Sequence, residues 1–571
     1  MPNHLKNIYE KLYNSIEDNE INEVKNYVDS KITMFSSFDV EKVTPEIVKK
    51  AAEKLKDGKS DPIFKFSSDC IKNAPAILFS HLAAIFRSFL YHGHVTTFLL
   101  LATLVPIVKD KLASHSYSKN YRSIAISSLL LKLIDWVALI LFGNSLGLDD
   151  LQFAYQSGAS TSMCTWAVME TIGYFIRNGA DVYTCQTDMT KAFDLVRHSL
   201  LFRKLVDSFF PVIFIRLFIF IYMFQYANVC WNNNISDIFN LSNGVRQGAI
   251  LSGILYCFYV NNLFELLRRK TTGCWINGQF LGMFGYSDDN WVLAPSVSAL
   301  QEMIDTIETY CRDHGLKFST DPNPLKCKTK CVAFMKKNRT LPNIILDGNP
   351  LPWVTEGIHL GNYFSNKYDG IARDIRMKKG QFISRNYELL QEFYYAHPST
   401  KLQTILLYNC HFTGSPIWDL SCNEVKSLEN SWNVAIRKVF DLPLTTHRYL
   451  VEPVSEHEYL TKILIKRFLS FIGQLERSSK NVVKHLLNLV KSDARSITGS
   501  NLKKIKLLTY KRNLIDCKNA LKDIPFEPIP ETEAWRIPII KELTDVKFGQ
   551  STLDGFTESE IKELINFVCT S

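Results

Sequence analysis

Phe284-Gly285-Tyr286-Ser287-Asp288-Asp289-Asn290 lies between two apolar runs, 281–284 and 291–294, and its reading decides the fold. Two short apolar runs around a small polar tip predict a tight strand–turn–strand hairpin. That hairpin carries two adjacent carboxylates at its tip. Adjacent anions repel unless water or a cation neutralises them, so the string is either an exposed polar turn or a cation-binding one.

Working outward, a second string narrows the choice. Cys185-Gln186-Thr187-Asp188-Met189-Thr190-Lys191-Ala192-Phe193-Asp194 follows a β-branched run that begins at Asp181. This pattern predicts a strand delivering Asp188 at its end, with 189–194 leading toward a helix. Asp188 beside the Asp288-Asp289 pair would converge three carboxylates, an oxygen ligand set suited to two Mg²⁺ ions that keep positions open for substrate phosphates. A third string, Gly244-Val245-Arg246-Gln247-Gly248-Ala249-Ile250-Leu251-Ser252-Gly253, opens a helix that continues through Phe258. Its glycines permit close approach to a base or phosphate.

The wider pattern is α+β. Residues 1–75 predict a helical N-terminal extension, with a helix start at Thr44-Pro45-Glu46 and a stop at 56–59. A longer apolar helix spans 76–92. From 102 to about 353, strand-like runs at 182–187 and 291–294 alternate with helices such as 297–314. Past 368 helices dominate, broken at His397-Pro398, Gly414-Ser415-Pro416 and Leu442-Pro443.

Taken in order, Asp188-x4-Phe193, Gln247-Gly248-x2-Leu251-Ser252 and Tyr286-Ser287-Asp288-Asp289 resemble the palm motifs of reverse transcriptases. Additional strings are similar to the non-LTR, LINE-type retrotransposon polymerases, in a Jockey-like branch. These are Asn120-Tyr121-Arg122-Ser123-Ile124-Ala125, the run 151–161, the run 318–330, His359-Leu360-Gly361, His397-Pro398-Ser399-Thr400, the run 413–418 and the run 446–453. The likeness covers the chain from about Val43 to Leu508.

The resemblance implies a right-hand polymerase: fingers from roughly 45 to 180, palm from 181 to 365, and a thumb with a basic helical region over 366–520. An acidic tail, 521–571, would follow. Asp188, Asp288 and Asp289 would be the catalytic carboxylates and metal ligands for two Mg²⁺ ions, which Mn²⁺ could replace, and the Met189 carbonyl would add a further oxygen. Phe193 matches the steric gate that excludes a 2′-hydroxyl. Gln247 and Gly248 would line the opposite wall. Lys109 and Arg122 resemble phosphate clamps, and Lys328 a proton donor to pyrophosphate, in competition with Lys326 and Lys330. Leu360 and Gly361 resemble the primer grip. Departures from the family pattern are Ser123 and Gly253 where Pro is usual, Gln156 where Arg is frequent, and Ser287 where Ala is usual.

The activity implied is RNA-directed DNA polymerisation: deoxynucleotides are added to a DNA primer on an RNA template, with dNTPs as substrates. About 45 residues precede the resemblance, too few for the endonuclease of full elements, so that activity is expected from elsewhere. The alternative is a decayed or co-opted element protein that binds RNA or an RNA–DNA hybrid, with Ser123, Gly253 and Gln156 as traces of decay. A polymerase using rNTPs is opposed by Phe193.

Composition agrees with a folded chain: 46% hydrophobic, 22% charged, 12% aromatic. This excludes disorder, collagen and coiled-coil arrays as the main theme. The net charge of +9 is unevenly placed, since residues 361–520 alone carry +11 and the last 51 carry 5 basic against 10 acidic residues. Within 459–512 there are 13 basic and 2 acidic residues interleaved with aromatics, a pattern suited to a phosphate backbone. Lys503, Lys504 and Lys506 are the candidate contacts there. Thirteen dispersed cysteines without zinc-ligand spacing fit a reducing interior. The start lacks a secretory pattern, and the apolar stretches 98–108 and 211–231 predict buried core elements. The expectation is an intracellular protein of cytoplasm or nucleus, without a membrane.

Overall fold

A computed structural model of the chain describes all residues except 17, 33–35, 111–113, 247, 325, 338, 367–369, 509–532, 548–556 and 571. Its strands, in chain order, are β1 (Leu101–Val108), β2 (Tyr121–Ile126), β3 (Val182–Thr187), β4 (Tyr226–Trp231), β5 (Asn234–Ile235), β6 (Phe239–Asn240), β7 (Trp275–Ile276), β8 (Gln279–Phe280), β9 (Met283–Tyr286), β10 (Asp289–Ala294), β11 (Lys330–Phe334), β12 (Ile344–Leu346), β13 (Asn349–Leu351), β14 (Glu356–His359) and β15 (Asn362–Ser365).

Two sheets carry the architecture. One runs β2-β1-β4-β5 with β6 also on β4, and the other runs β11-β3-β10-β9. In the second sheet β3 is central and nearly all its residues are buried, so its sequence is continuously apolar or small rather than alternating. The antiparallel pairing sets Asn290 opposite Thr187 and Asp289 opposite Tyr286. Trp291, Val292 and Leu293 on β10 and Phe284 on β9 fill the core behind it. Helices Thr161–Arg177 and Val297–Asp313 cover this sheet. Each begins at a serine whose hydroxyl accepts from a backbone N–H three residues on, Ser160 from Met163 and Ser296 from Ala299.

The expected N-terminal helix starts at Pro45 with Thr44 as its cap, and the 76–92 helix ends at Gly93, whose φ of 72° suits glycine. The apolar stretch at 211–231 is a helix, Val212–Met223, followed by β4. Among the described residues, Leu129–Leu146 and Ile250–Arg269 are apolar and long enough to cross a membrane by composition. Both contribute side chains to the main core, Leu133, Ile134 and Val137 from the first, Leu255, Tyr256 and Phe264 from the second.

Two regions differ from their sequence-level picture. The N-terminal helix Pro2–Tyr13 is seated on the first sheet, where Leu5, Tyr9 and Tyr13 are buried with Ala102, Leu104, Ala125 and Val229. The acidic stretch after 520 is more than a charged tail. Its helices Arg536–Lys547 and Glu558–Thr570 bury Ile540, Leu543, Ile561 and Ile565 against Leu450 and Val454. Acidic residues there occupy the outer faces while the apolar stripe supplies the packing.

The basic helices also dock. Asn481–Lys491 and Ile497–Leu508 pack back toward Thr161–Arg177, where Trp166 Nε1 donates to Thr498 Oγ1 at 3.0 Å and buried Arg177 lies between Glu170 and Asp493. The cysteines among the described residues are free and mostly buried.

Candidate active site

Asp188 follows β3 directly, and its backbone is held on both sides. Its N–H donates to Thr329 Oγ1 at 3.2 Å, while its carbonyl accepts from the Ser319 N–H at 2.8 Å. The next ladder bond runs from the Thr190 N–H to the Lys317 carbonyl at 2.8 Å. Met189 and Phe318 are therefore a non-hydrogen-bonded pair, and the Met189 carbonyl is turned away from that ladder.

The hairpin joins β9 to β10 through Ser287 and Asp288, with Ser287 at φ 64°. Extending the β3–β10 register by one position sets Asp289 across from Asp188. The three carboxylates feel one another. Burial raises the Asp288 pKa and repulsion from Asp188 adds to it; burial, then Asp288 and Asp188, push Asp289 up to about 6. Arg122 opposes the shift at both positions. Among the described residues no three His, Cys, Asp or Glu side chains are drawn together closely enough to hold a metal ion as placed. The donor chemistry nonetheless fits one: half-buried, mutually repelling oxygens gain most from a hard cation.

Near the acids lies a basic arc, since Arg122 acts on both Asp288 and Asp289. Arg122 projects from β2 opposite Ile107, and Lys109 follows β1 with its N–H on the Asn120 carbonyl at 2.7 Å. Burial lowers the Lys109 pKa, and Lys328, Arg122 and Lys191 lower it further. This mutual repulsion brings Lys328 into the arc, whereas Lys330 sits within β11 opposite Gln186. Lys191 joins the arc without having been singled out by the sequence; its place in the string after Asp188 is the signal that could have found it.

Phe193 lies in the turn after Asp188, half-buried, its ring stacked on Tyr256 with centroids 4.8 Å apart and planes 26° apart. Residues 190–195 form a turn that leads, as expected, into a helix, which begins at His198. Tyr256 comes from helix Ile250–Tyr259 and its hydroxyl lies 3.1 Å from Met189 Sδ. Its helical periodicity alone gives it no distinction from other core tyrosines. Gly248 has φ 116°, and a Cβ there would stand 2.4 Å from the Ala125 carbonyl oxygen, so only glycine lets this segment approach β2. Gln247 lies outside the described residues.

The turn Leu360–Gly361 joins β14 to β15, with φ 48° and 80°, as a two-residue hairpin of the primed type requires. Gln186 on β3 donates to the Ile358 carbonyl at 2.9 Å, which moors this hairpin beside the carboxylates' sheet. Behind it Lys378 Nζ bonds Asp374 Oδ2 at 2.9 Å, and Trp418 Nε1 donates to the same oxygen at 2.8 Å. Lys503, Lys504 and Lys506 are exposed on the Ile497–Leu508 helix, where Lys504 contacts Ser421 Oγ; nothing places them at the carboxylates.

Three of the departures noted in the sequence, Ser123, Gln156 and Gly253, are accommodated by a neighbouring side chain, whereas the buried Ser287 hydroxyl makes no hydrogen bond among the described residues. Ser123 Oγ lies 3.1 Å from the Tyr13 hydroxyl, and Gln156 Oε1 accepts from Lys480 Nζ at 3.1 Å. A Cβ on Gly253 would fall 2.2 Å from the Tyr155 ring, so the ring occupies the space that a side chain would need.

Comparison with known proteins agrees with this geometry. Residues 108–342 match the family of reverse transcriptases (RNA-dependent DNA polymerases). The chain is 23% identical over 300 residues to a probable RNA-directed DNA polymerase from transposon X-element of Drosophila melanogaster, covering 50% of this chain and 31% of that protein. It is 22% identical over 287 residues to a retrovirus-related Pol polyprotein from the type-1 retrotransposable element R2 of Nasonia vitripennis, covering 50% and 26%. The matched segment thus spans about a third or less of those relatives. Among solved structures, telomerase from Candida albicans in complex with a telomeric RNA fragment aligns over 72% of this chain and 69% of that one, at 11% identity and a TM-score of 0.33. Residues 108–342 thus match the reverse transcriptase family, and over about half its length this chain is similar to proteins named as polymerases of non-LTR retrotransposable elements.

Proposed function

We propose that this chain is an RNA-directed DNA polymerase that adds deoxynucleotides to a DNA primer 3′-end on an RNA template. One observation supports the reading: the register of β3 against β10 brings Asp188 alongside the Asp288-Asp289 turn, and Arg122 is near enough to act on that pair. Asp188 and Asp288 would hold two divalent cations, with Asp289 in support and the Met189 carbonyl as a further oxygen. When bound, such ions supply charge neutralisation for the attacking 3′-oxygen and the leaving pyrophosphate.

The chain's own groups do the rest. Arg122 offers two parallel donors to a phosphate and Lys109 a point charge. Lowering of the Lys109 pKa by its cationic neighbours fits a site built to receive a polyanion. Lys328 stands on the same arc, where a lysine can donate a proton to pyrophosphate. The Phe193 ring, braced by Tyr256, closes the space beneath the sugar, so a 2′-hydroxyl would collide with it. Gly248 lets its backbone close the other wall; Gln247, the other residue proposed for that wall, lies outside the described residues. The Leu360–Gly361 turn would press the primer end toward the carboxylates.

The partners of Ser123, Gly253 and Gln156 weigh against decay, because each substitution is accommodated by a complementary side chain. The test is primer extension on an RNA template with Mg²⁺ and dNTPs. Wild type should extend, and Asp288→Asn should lose at least about a thousandfold in rate, a scale set by removal of one transition-state group. No incorporation by wild type, with RNA–DNA hybrid binding retained, would sink the enzymatic reading in favour of a binding protein.

A further inference from the structure

Three walls of the proposed nucleotide pocket come from segments far apart in sequence: Arg122 on β2, Phe193 in the turn after β3, and the Gly244–Arg246 segment. Tyr13, the last residue of the N-terminal helix, meets a chain neighbour of each: Ser123, Asp194 and Asn243. Its hydroxyl lies 3.1 Å from the Oγ of Ser123, the neighbour of Arg122. The Asp194 carboxyl, next to Phe193, interacts with the same hydroxyl. The Tyr13 carbonyl accepts from the backbone N–H groups of Ser242 at 3.1 Å and Asn243 at 3.0 Å.

These contacts close on one another. Asn243 Nδ2 donates to the Asp194 carbonyl at 2.6 Å and to the Leu12 carbonyl at 3.3 Å. The Val245 N–H donates to the Phe193 carbonyl at 2.8 Å. Gly244 presses so closely on Asp194 that a Cβ would stand 2.8 Å from its carbonyl oxygen. Tyr13, Ser123, Asp194 and Asn243 are 2%, 5%, 6% and 1% exposed, so water cannot replace a missing partner. Side chains alternate along a strand, so anchoring Ser123 beneath β2 fixes the height of exposed Arg122 above it.

We propose that Tyr13 is a positioning residue of the nucleotide pocket. It sets the placement of Arg122, Phe193 and the Gly244–Arg246 segment relative to one another, and so makes the N-terminal helix a determinant of dNTP selection. This rests on the polymerase reading above.

The test is Tyr13→Phe in the full chain, which keeps the ring and removes the hydroxyl. Three quantities are measured: steady-state dNTP kinetics, affinity for an RNA–DNA primer–template by fluorescence anisotropy, and backbone hydrogen exchange of peptides covering 119–126 and 240–249. The KM for dNTP should rise about tenfold, the scale of one buried hydrogen bond. The kcat should change by less than about threefold and hybrid affinity should hold, since only nucleotide binding is loosened. Ser123→Ala should shift KM the same way, and the double variant should be no worse than Tyr13→Phe alone, because both remove the same hydrogen bond. Unchanged dNTP kinetics, or a parallel deterioration of KM, kcat and hybrid binding, would overturn the proposal and make Tyr13 an ordinary core residue. If wild type extends no primer, the polymerase reading fails by itself. The exchange measurement then stands alone: faster exchange of both peptides in Tyr13→Phe supports the coupling, and unchanged exchange overturns it.

Discussion

The ammonium group of Lys480 donates to the backbone carbonyl of Gln152 at 2.8 Å across 328 residues of sequence. It also donates to the Asp150 carbonyl at 3.0 Å, and the Asp150 carboxylate in turn caps the helix Asn481–Lys491 through the N–H groups of Asn481 and Val482. On the far side, Gln152 Oε1 accepts from the Ser287 N–H at 2.9 Å, and residues 151 and 153 exchange backbone bonds with Gly285. The carboxylate hairpin is therefore supported by a segment that the C-terminal helices clasp. Burying a lysine is costly unless its donors are satisfied, and here three oxygens satisfy it.

Lys480→Met should leave the Asp150 and Gln152 carbonyls without their cationic donor and cost about 2–3 kcal/mol of stability, read by urea denaturation. Exchange of the Ser287 amide should accelerate in step and primer extension should fall. Reduced stability with Ser287 exchange unchanged would make Lys480 a docking residue alone.

Phe193→Ala opens the space beneath the sugar site that the Tyr256-stacked ring now fills. Relative incorporation of rNTP over dNTP should rise at least about tenfold, the usual scale for removing a steric discriminator. Competition between the two nucleotides on one template measures it. Unchanged selectivity would return Phe193 to the core.

Asp135 makes a prediction about pH. It is half-buried on helix Leu129–Phe142, accepts from the N–H groups of Ile250 and Leu251, and interacts with buried Arg246. Burial, only partly offset by Arg246, raises its carboxyl to about 6. The folded chain thus binds more protons than the unfolded chain between about pH 4 and 6. The contribution of this group is fully present below the unfolded value and is lost as pH rises through the folded one, by about 3 kcal/mol at most. Asp135→Asn should flatten that part of the pH–stability curve. Chemical denaturation at pH 4.5 and 7 checks the slope, and an unchanged slope would contradict the assignment.

Lys503, Lys504 and Lys506 are exposed on one basic helix. Their triple reversal to glutamate should weaken RNA binding and reduce the salt slope by up to about one for each phosphate that is no longer neutralised. Binding titrations at several salt concentrations test this. A slope that does not move would leave them as solvated surface residues.

The hairpin at 284–290, the strand that delivers Asp188 and the likeness to reverse transcriptases could all be read from sequence, because each is local. A turn, a strand end and an ordered set of short strings are written in neighbouring residues. Even the Leu360–Gly361 turn was legible as a string, although its mooring to Gln186 was not. Tertiary structure alone decided which side chains meet. The pairing of β3 with β10 brought Asp188 alongside Asp289; Arg122, Lys191 and Lys328 came together around Lys109; and Tyr13 and Lys480 reached the supports of the candidate site from opposite ends of the chain. The physical reason is that a lone buried Tyr or Lys has no periodic signature. Its meaning lies in the oxygens it satisfies, and those are brought to it only by packing.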